Sequence, residues 1–297
     1  MIRAHEFFTL KDKTQLRIQV QNNNQAEWLI VLHGLGEHFE RHSYISEMFS
    51  DRFNILFYDH RGHGMSGGKR ATIEDFETFG DDLEEIVIYM KKECGMKGFH
   101  FFAHSMGSLI ACDYYQRKEL KPSSLFLSSP PVGFPGVGKI FQYSPTSFTK
   151  IIKDIPMSFD MEAETDSNRY SHDPTVQEEL LKDPLVNQHT ESKLAIEILH
   201  KSNELFSGPI GFDCPVSMII GSEDKVVCSR SAVEYFSIVE RVKRVIIVPG
   251  GYHELYKETP QYSNVFFESL YNFFTGIYAK SKNNVRKLAN GSDVNAN

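Results

Sequence analysis

Short apolar runs punctuate the chain at Trp28 to Leu32, Ile55 to Tyr58, Phe99 to Phe102, Leu125 to Leu127, Val216 to Ile220 and Val245 to Val248. Runs of this length without polar alternation predict strands buried on both faces, as in a parallel sheet covered by helices. Between them, Asp75 to Glu93 carries Phe76, Phe79, Leu83, Ile86, Val87 and Met90 at helical spacing, and Ser229 to Val239 and Pro260 to Phe274 follow the same period. This alternation predicts an α/β fold, a mostly parallel twisted sheet flanked by helices. Thr14 to Val20 instead alternates polar and apolar residues ahead of Asn22-Asn23-Asn24, which predicts an edge hairpin opening the fold.

The alternation stops between Ser129 and Gly208, where Pro130, Pro131, Pro135, Pro145 and Pro156 separate short amphipathic segments. An insertion outside the sheet is the simplest account. Val137, Ile140 and Phe141, then Phe148, Ile151, Ile152 and Ile155, recur at helical spacing. They predict short helices whose single apolar face either lines a pocket or packs on the body. The expected organisation is a core in two parts, 1–128 and 209–278, a helical insertion at 129–208, and a flexible polar tail at 279–297 rich in Asn, Lys and Ser.

Composition narrows the function classes. The chain has 297 residues, 41% hydrophobic and 24% charged, enough for one large core. A net charge of −7 without blocks of like charge argues against a nucleic-acid partner or a polybasic membrane patch. The four cysteines, Cys94, Cys112, Cys214 and Cys228, include no C-x-x-C pair, which favours reduced thiols and a cytoplasmic location. The first residues lack the apolar stretch of a signal peptide, and no run approaches the ~18 apolar residues that span a bilayer.

Candidate chemistry centres on Ala103-His104-Ser105-Met106-Gly107, which joins an apolar run to the helix-like stretch Ser108 to Cys112. A serine hydroxyl is a weak nucleophile unless a sharp strand-to-helix turn holds it beside a base and aims N–H donors at the developing oxyanion. The small residues at 103 and 107 let such a turn close. On an α/β sheet the partners follow in the order serine, acid, histidine. Beyond the run Val216 to Ile220, Gly221-Ser222-Glu223-Asp224 offers two acids. The shorter Asp224 is easier to hold against an imidazole, but Glu223 remains a rival. Of the twelve histidines only His253 follows them, in the glycine-rich Pro249-Gly250-Gly251-Tyr252-His253-Glu254. For the oxyanion, the natural donors are the amides of Met106, after the serine, and Leu35, in His33-Gly34-Leu35-Gly36 after the first long apolar run. His33 is expected to brace that loop. His60 and His63 match no zinc-ligand spacing, so no metal or cofactor is expected.

Taken together, His33-Gly34-Leu35-Gly36-Glu37-His38 with Arg41, Asp59-His60-Arg61-Gly62-His63-Gly64-Met65-Ser66, the serine turn, Asp183-Pro184-Leu185-Val186, Asp224-Lys225-Val226-Val227 and Gly251-Tyr252-His253-Glu254 form a specific set. Over about residues 10–278 the chain resembles the α/β-hydrolase superfamily, in its branch of monoacylglycerol lipases, lysophospholipases and serine aminopeptidase-like hydrolases. The resemblance implies Ser105, Asp224 and His253 as the catalytic triad, which resolves the choice of acid. It implies Leu35 and Met106 as oxyanion donors and the 129–208 insertion as a cap over an acyl pocket. Glu37 and Arg41 match residues that hold the glycerol end of monoacylglycerols; an ion pair bracing the oxyanion loop is the alternative.

Two departures, Ala103 for the usual glycine and Ser108 for the glycine that follows the motif, narrow the space around the turn. The implied activity is serine-dependent hydrolysis of single-chain lipid esters. A small-ester esterase, an iminopeptidase-type peptidase and a non-catalytic binding protein are the competing classes. The expected partner is a small amphiphilic ester, with transient contact to a membrane surface through the cap.

Overall fold

The computed structural model describes residues 6–136, 158–160 and 169–291. Eight strands, β1 (Glu6–Thr9), β2 (Gln15–Gln21), β3 (Glu27–Leu32), β4 (Asn54–Tyr58), β5 (Gly98–His104), β6 (Leu125–Ser128), β9 (Val216–Gly221) and β10 (Val242–Val248), make one sheet in the order β1-β2-β4-β3-β5-β6-β9-β10. Only the β1–β2 and β2–β4 pairings are antiparallel. A small antiparallel pair, β7 (Ser158–Asp160) with β8 (His189–Glu191), stands apart.

The continuous apolar runs reflect burial on two sides in β3, β4, β5, β6 and β9, whereas the run Val245 to Val248 lies on the edge strand β10, where Ile247 is exposed. Ile30 and Leu32 of β3 face one core together with α2 (Glu77–Glu93) and α3 (Met106–Arg117). Leu29 and Val31 face a second core with α1 (Tyr44–Phe49) and α7 (Pro260–Gly291). Because neighbouring side chains point to opposite faces, a strand sandwiched between helices buries both sets of side chains, and its few polar residues, such as His100 of β5 and Ser217 of β9, are buried with them. The periodicity of α2 has the same origin: Phe79, Leu83, Ile86, Val87 and Met90 are buried in the first core, while Ile88 and Tyr89 stay exposed.

The hairpin at the start lies on the other side of its strand from the one the asparagine run suggests. β2 turns back to β1 through residues 10–14, whereas Asn22 to Asn24 carry the chain past β4 to β3. Inside the insertion, α4 (Pro174–Lys182) starts at Asp173, whose side chain accepts from the Thr175 amide at 2.9 Å. The following α5 (Ser192–Leu205) buries Leu194, Ile198 and Leu205 in the first core, so this part of the insertion packs on the body. The helices expected around Val137 to Phe141 and Phe148 to Ile155 lie outside the described residues. At the other end, α7 follows α6 (Ser229–Ile238) and β10 and runs on to Gly291, past the start expected for the polar tail. Ala279, Lys280, Lys282, Arg286, Lys287 and Leu288 are good helix formers, so low hydrophobicity there does not imply an irregular backbone.

One consequence positions the site. The chain leaves β3 toward β4 on one side and leaves β5 toward β6 on the other, and β3 and β5 are neighbours with Leu32 opposite Ala103. Connections diverging from adjacent parallel strands open a crevice at their carboxyl ends. The His33-Gly34-Leu35 loop and Ser105 both emerge there.

Candidate active site

Ser105 sits between β5 and α3 with φ 50° and ψ −121°, a backbone conformation that side-chain-bearing residues rarely adopt. The surroundings hold it there. Its amide donates to the Ser128 carbonyl at 2.8 Å, and its carbonyl accepts from the Ser108 amide at 2.8 Å. The Ser108 hydroxyl donates to the Ala103 carbonyl at 3.0 Å, so this departure from glycine adds a tie across the turn. Gly107 is needed for packing: a Cβ there would lie 2.3 Å from the Leu32 carbonyl oxygen, so only glycine lets α3 start this close to β3.

Three placements converge on Ser105. His253, in the loop after β10, has Nε2 3.0 Å from Ser105 Oγ. Its Nδ1–H donates to Asp224 Oδ2 at 2.7 Å, in the loop after β9. A carboxylate accepts only, which puts the proton on Nδ1 and leaves Nε2 free to accept from the serine. Asp224 Oδ1 takes the amides of Val226 and Val227 at 2.8 and 2.9 Å, locking its orientation. Burial alone would push the His253 pKa down, but the Asp224 carboxylate outweighs it and holds the imidazole above its ordinary value of 6.5. Glu223 is exposed, and it is Asp224 that bonds His253. Ser129, just after β6, adds a support: its hydroxyl donates to the His253 carbonyl at 2.9 Å.

Leu35, Met106 and Ser105 share the wall of a cavity of about 110 Å³. The Met106 amide opens α3, where the first N–H groups have no intrahelical acceptor. Beside it, Glu37 is a hub. Its Oε1 accepts from the Gly34 amide at 2.5 Å and from His42 Nε2 at 3.1 Å, and its Oε2 accepts from Arg41 Nε at 3.2 Å and the Tyr256 hydroxyl at 3.0 Å. The carboxyl is held well below its ordinary range: burial opposes ionisation, but the neighbouring His42, His104 and Arg41 outweigh it. Arg41 also donates to Glu254 Oε2 at 2.5 Å and does not line the cavity that Glu37 lines. With four donors on its carboxylate, Glu37 ties the Gly34 turn to Arg41, His42 and Tyr256.

His33 braces the same loop, with Nε2 accepting from the His60 amide at 2.9 Å and Nδ1 bonded to the Gly34 carbonyl at 2.8 Å. Among the described residues no group of histidine, cysteine and acidic side chains is arranged to hold a metal ion. Asp59 accepts from the Phe39 and Met65 amides, both at 2.9 Å, and Arg61 pairs with Asp82 and Asp12. Glu254, Tyr256 and Tyr170 escape sequence inspection. Glu254 and Tyr170 line the cavity, yet an acid following a histidine reads as a surface residue until tertiary packing buries it.

A serine, a neutral imidazole and a buried carboxylate in a chain of hydrogen bonds can generate an alkoxide-like nucleophile beside two backbone amides. A model of the family described as serine aminopeptidase, S33, matches residues 23–260. The chain belongs to this family. An uncharacterized abhydrolase domain-containing protein of Dictyostelium discoideum is 24% identical over 253 residues, 84% of this chain but 26% of its own length. The chain thus spans about a quarter of that relative. A monoacylglycerol lipase of Mycolicibacterium smegmatis is 25% identical over 238 residues, 78% of this chain and 83% of its own length. The S33 chain also shares its fold with a soluble variant of monoglyceride lipase from Saccharomyces cerevisiae, solved with a substrate analog. The TM-score is 0.75 at 18% identity, covering 92% of this chain and 95% of that one. Among the described residues no helix is long and apolar enough to cross a membrane.

Proposed function

We propose that this protein is a serine-dependent carboxylic-ester hydrolase that releases fatty acid from single-chain lipid esters of the monoacylglycerol or lysophospholipid kind. The observation that carries the reading is the unbroken chain Ser105 Oγ, His253 Nε2, His253 Nδ1, Asp224 Oδ2, at 3.0 and 2.7 Å. In this mechanism His253 takes the Ser105 proton as Oγ bonds to the acyl carbon, and the Leu35 and Met106 amides donate to the resulting oxyanion. Collapse breaks the bond to the alcohol, which leaves with the proton from His253. Water, deprotonated by the same imidazole, then attacks the acyl-enzyme, and the fatty acid departs as Ser105 regains its proton. No cofactor enters these steps.

Two things support the lipid choice: the mycolicibacterial relative is named a monoacylglycerol lipase, and Leu35, Phe134, Ile198, Val226 and Val227 give the cavity an apolar wall. In this proposal the 129–208 insertion serves as the cap over the acyl chain and meets the membrane surface where such substrates reside. A p-nitrophenyl ester series from acetate to palmitate tests the reading. Activity that rises beyond butyrate supports a lipid substrate, whereas activity confined to acetate and butyrate reduces the protein to a small-ester esterase.

A second reading, release of an N-terminal residue from peptides, has one observation in its favour. The cavity carries an acidic group, Glu254, suited to a substrate amine. Cleavage of aminoacyl p-nitroanilides faster than of esters would establish it.

A further inference from the structure

Glu254 differs from Glu37 in what its carboxylate has left to offer. All four bonding positions of Glu37 are occupied, by Gly34, His42, Arg41 and Tyr256. Glu254 is also buried, with its side chain 6% exposed, but only its Oε2 is engaged, by Arg41 at 2.5 Å. Oε1 has no donor among the described residues, and it is not among the fully enclosed side-chain atoms left unpartnered. Glu254 lines the cavity together with Ser105 and His253, so its unengaged Oε1 is a charged acceptor available beside the triad.

The chain position says which part of a substrate meets it. In the proposed mechanism His253 hands its proton to the departing alcohol, and Glu254 follows it on the same loop and lines the same cavity, which favours contact with the leaving group. The Glu254 amide is tied to the Tyr170 carbonyl at 2.8 Å, which fixes the loop from the insertion side. The local charge also discriminates. Glu37 and Glu254 both bond Arg41, and among the described residues no lysine or arginine lines the cavity to pair with a phosphate, while the Glu254 carboxylate offers an acceptor to hydroxyl donors.

We infer that Glu254 is a specificity-determining residue that accepts a hydrogen bond from a hydroxyl of a neutral polyol leaving group and disfavours esters whose leaving group carries a phosphate. Within the proposed hydrolase this narrows the substrate class to glycerol-type esters over anionic lysophospholipids. A leaving group with no hydroxyl gains nothing from this contact, and a buried carboxylate without its donor is penalised.

The test uses the full-length protein and three esters of one medium-chain acid, all below their aggregation concentrations: the monoacylglycerol, the ethyl ester and the lysophosphatidic acid. Wild type and Glu254→Gln are compared by the ratios of kcat/KM among the three. For Glu254→Gln the monoacylglycerol-to-ethyl-ester ratio is expected to fall by about fivefold or more, because the amide oxygen still accepts the hydroxyl but without the charge. The monoacylglycerol-to-lysophosphatidate ratio falls with it, because the neutral amide no longer repels phosphate. Glu254→Asp, which keeps the charge, should retain the second preference more than the first. If wild type hydrolyses the esters and both ratios stay within about twofold in Glu254→Gln, the inference is overturned while the ester-hydrolase reading stands. If wild type cleaves none of the three, the ester-hydrolase reading itself fails and this inference fails with it. Because each ratio compares substrates on the same protein, partial misfolding of a variant does not imitate the effect.

Discussion

Asp224 and Glu223 are neighbours that differ by one methylene, yet only Asp224 is turned inward, with two amides on one oxygen and His253 on the other. An acid in that position fixes the imidazole tautomer and stabilises the imidazolium. Asp224→Asn is therefore expected to lower kcat by about 10³ to 10⁴-fold, while Glu223→Gln stays within about twofold of wild type. Equal losses in the two variants would refute the assignment. The same contact sets the pH dependence. Asp224 raises the His253 pKa above 6.5, and below that raised value the ring is protonated and cannot accept the serine proton. The profile of kcat/KM should fall toward acid with a midpoint above 6.5, and Asp224→Asn should move the midpoint down. These adjacent acids also mark the limit of spacing: it brings both to the loop after a strand, and the choice of Asp224 came from the family resemblance. Glu254 is a harder case, because nothing in the residues around it signals burial.

At the scale of elements, the site depends on how closely α3 approaches β3. Gly107→Ala would place a Cβ 2.3 Å from a backbone oxygen of Leu32, which has no rotamer by which to withdraw. The helix must move, carrying the Met106 amide and Ser105 with it. We expect a loss of roughly 1–3 kcal/mol in urea unfolding together with a fall in kcat of about tenfold or more; wild-type values for both would show that the elbow is not tightly packed. Five of the six core strands were legible because burial on both faces leaves uninterrupted apolar runs, and α2 because one buried face repeats at 3.6 residues; the sixth, β10, carries such a run although it lies at the sheet edge with Ile247 exposed. Shorter or interrupted patterns were not. Six-residue α1 offers too few turns to show a period, and α4 and α5 lie in the insertion expected to be helical, where the spacing was read only around Val137 to Phe141 and Phe148 to Ile155. The alternation in β2 identifies a half-exposed strand without naming its neighbours, which is why its hairpin partner is β1 and not the strand after the asparagines.

At the scale of the whole molecule, the histidines around the site couple stability to pH. Burial holds His60 at about 3 and His63 at about 4, and keeps His33 well below 6.5. The folded protein keeps these rings neutral where the unfolded chain, near 6.5, binds protons, so stability rises with pH between the folded and unfolded values. Each such histidine contributes a loss of up to about 1.4 kcal/mol per pH unit below 6.5. Unfolding midpoints in urea should therefore drop steeply from pH 7 to pH 5, and a flat response would contradict the neutral burial of the cluster. The folded frame serves one centre, the hydroxyl of Ser105 with its imidazole, and that centre is open to direct measurement. The intact protein treated with a fluorophosphonate should gain one phosphonyl adduct, mapped by peptide mass spectrometry to Ser105, with ester hydrolysis lost in proportion. An unlabelled protein, or an adduct at another serine with Ser105→Ala still active, would contradict the account.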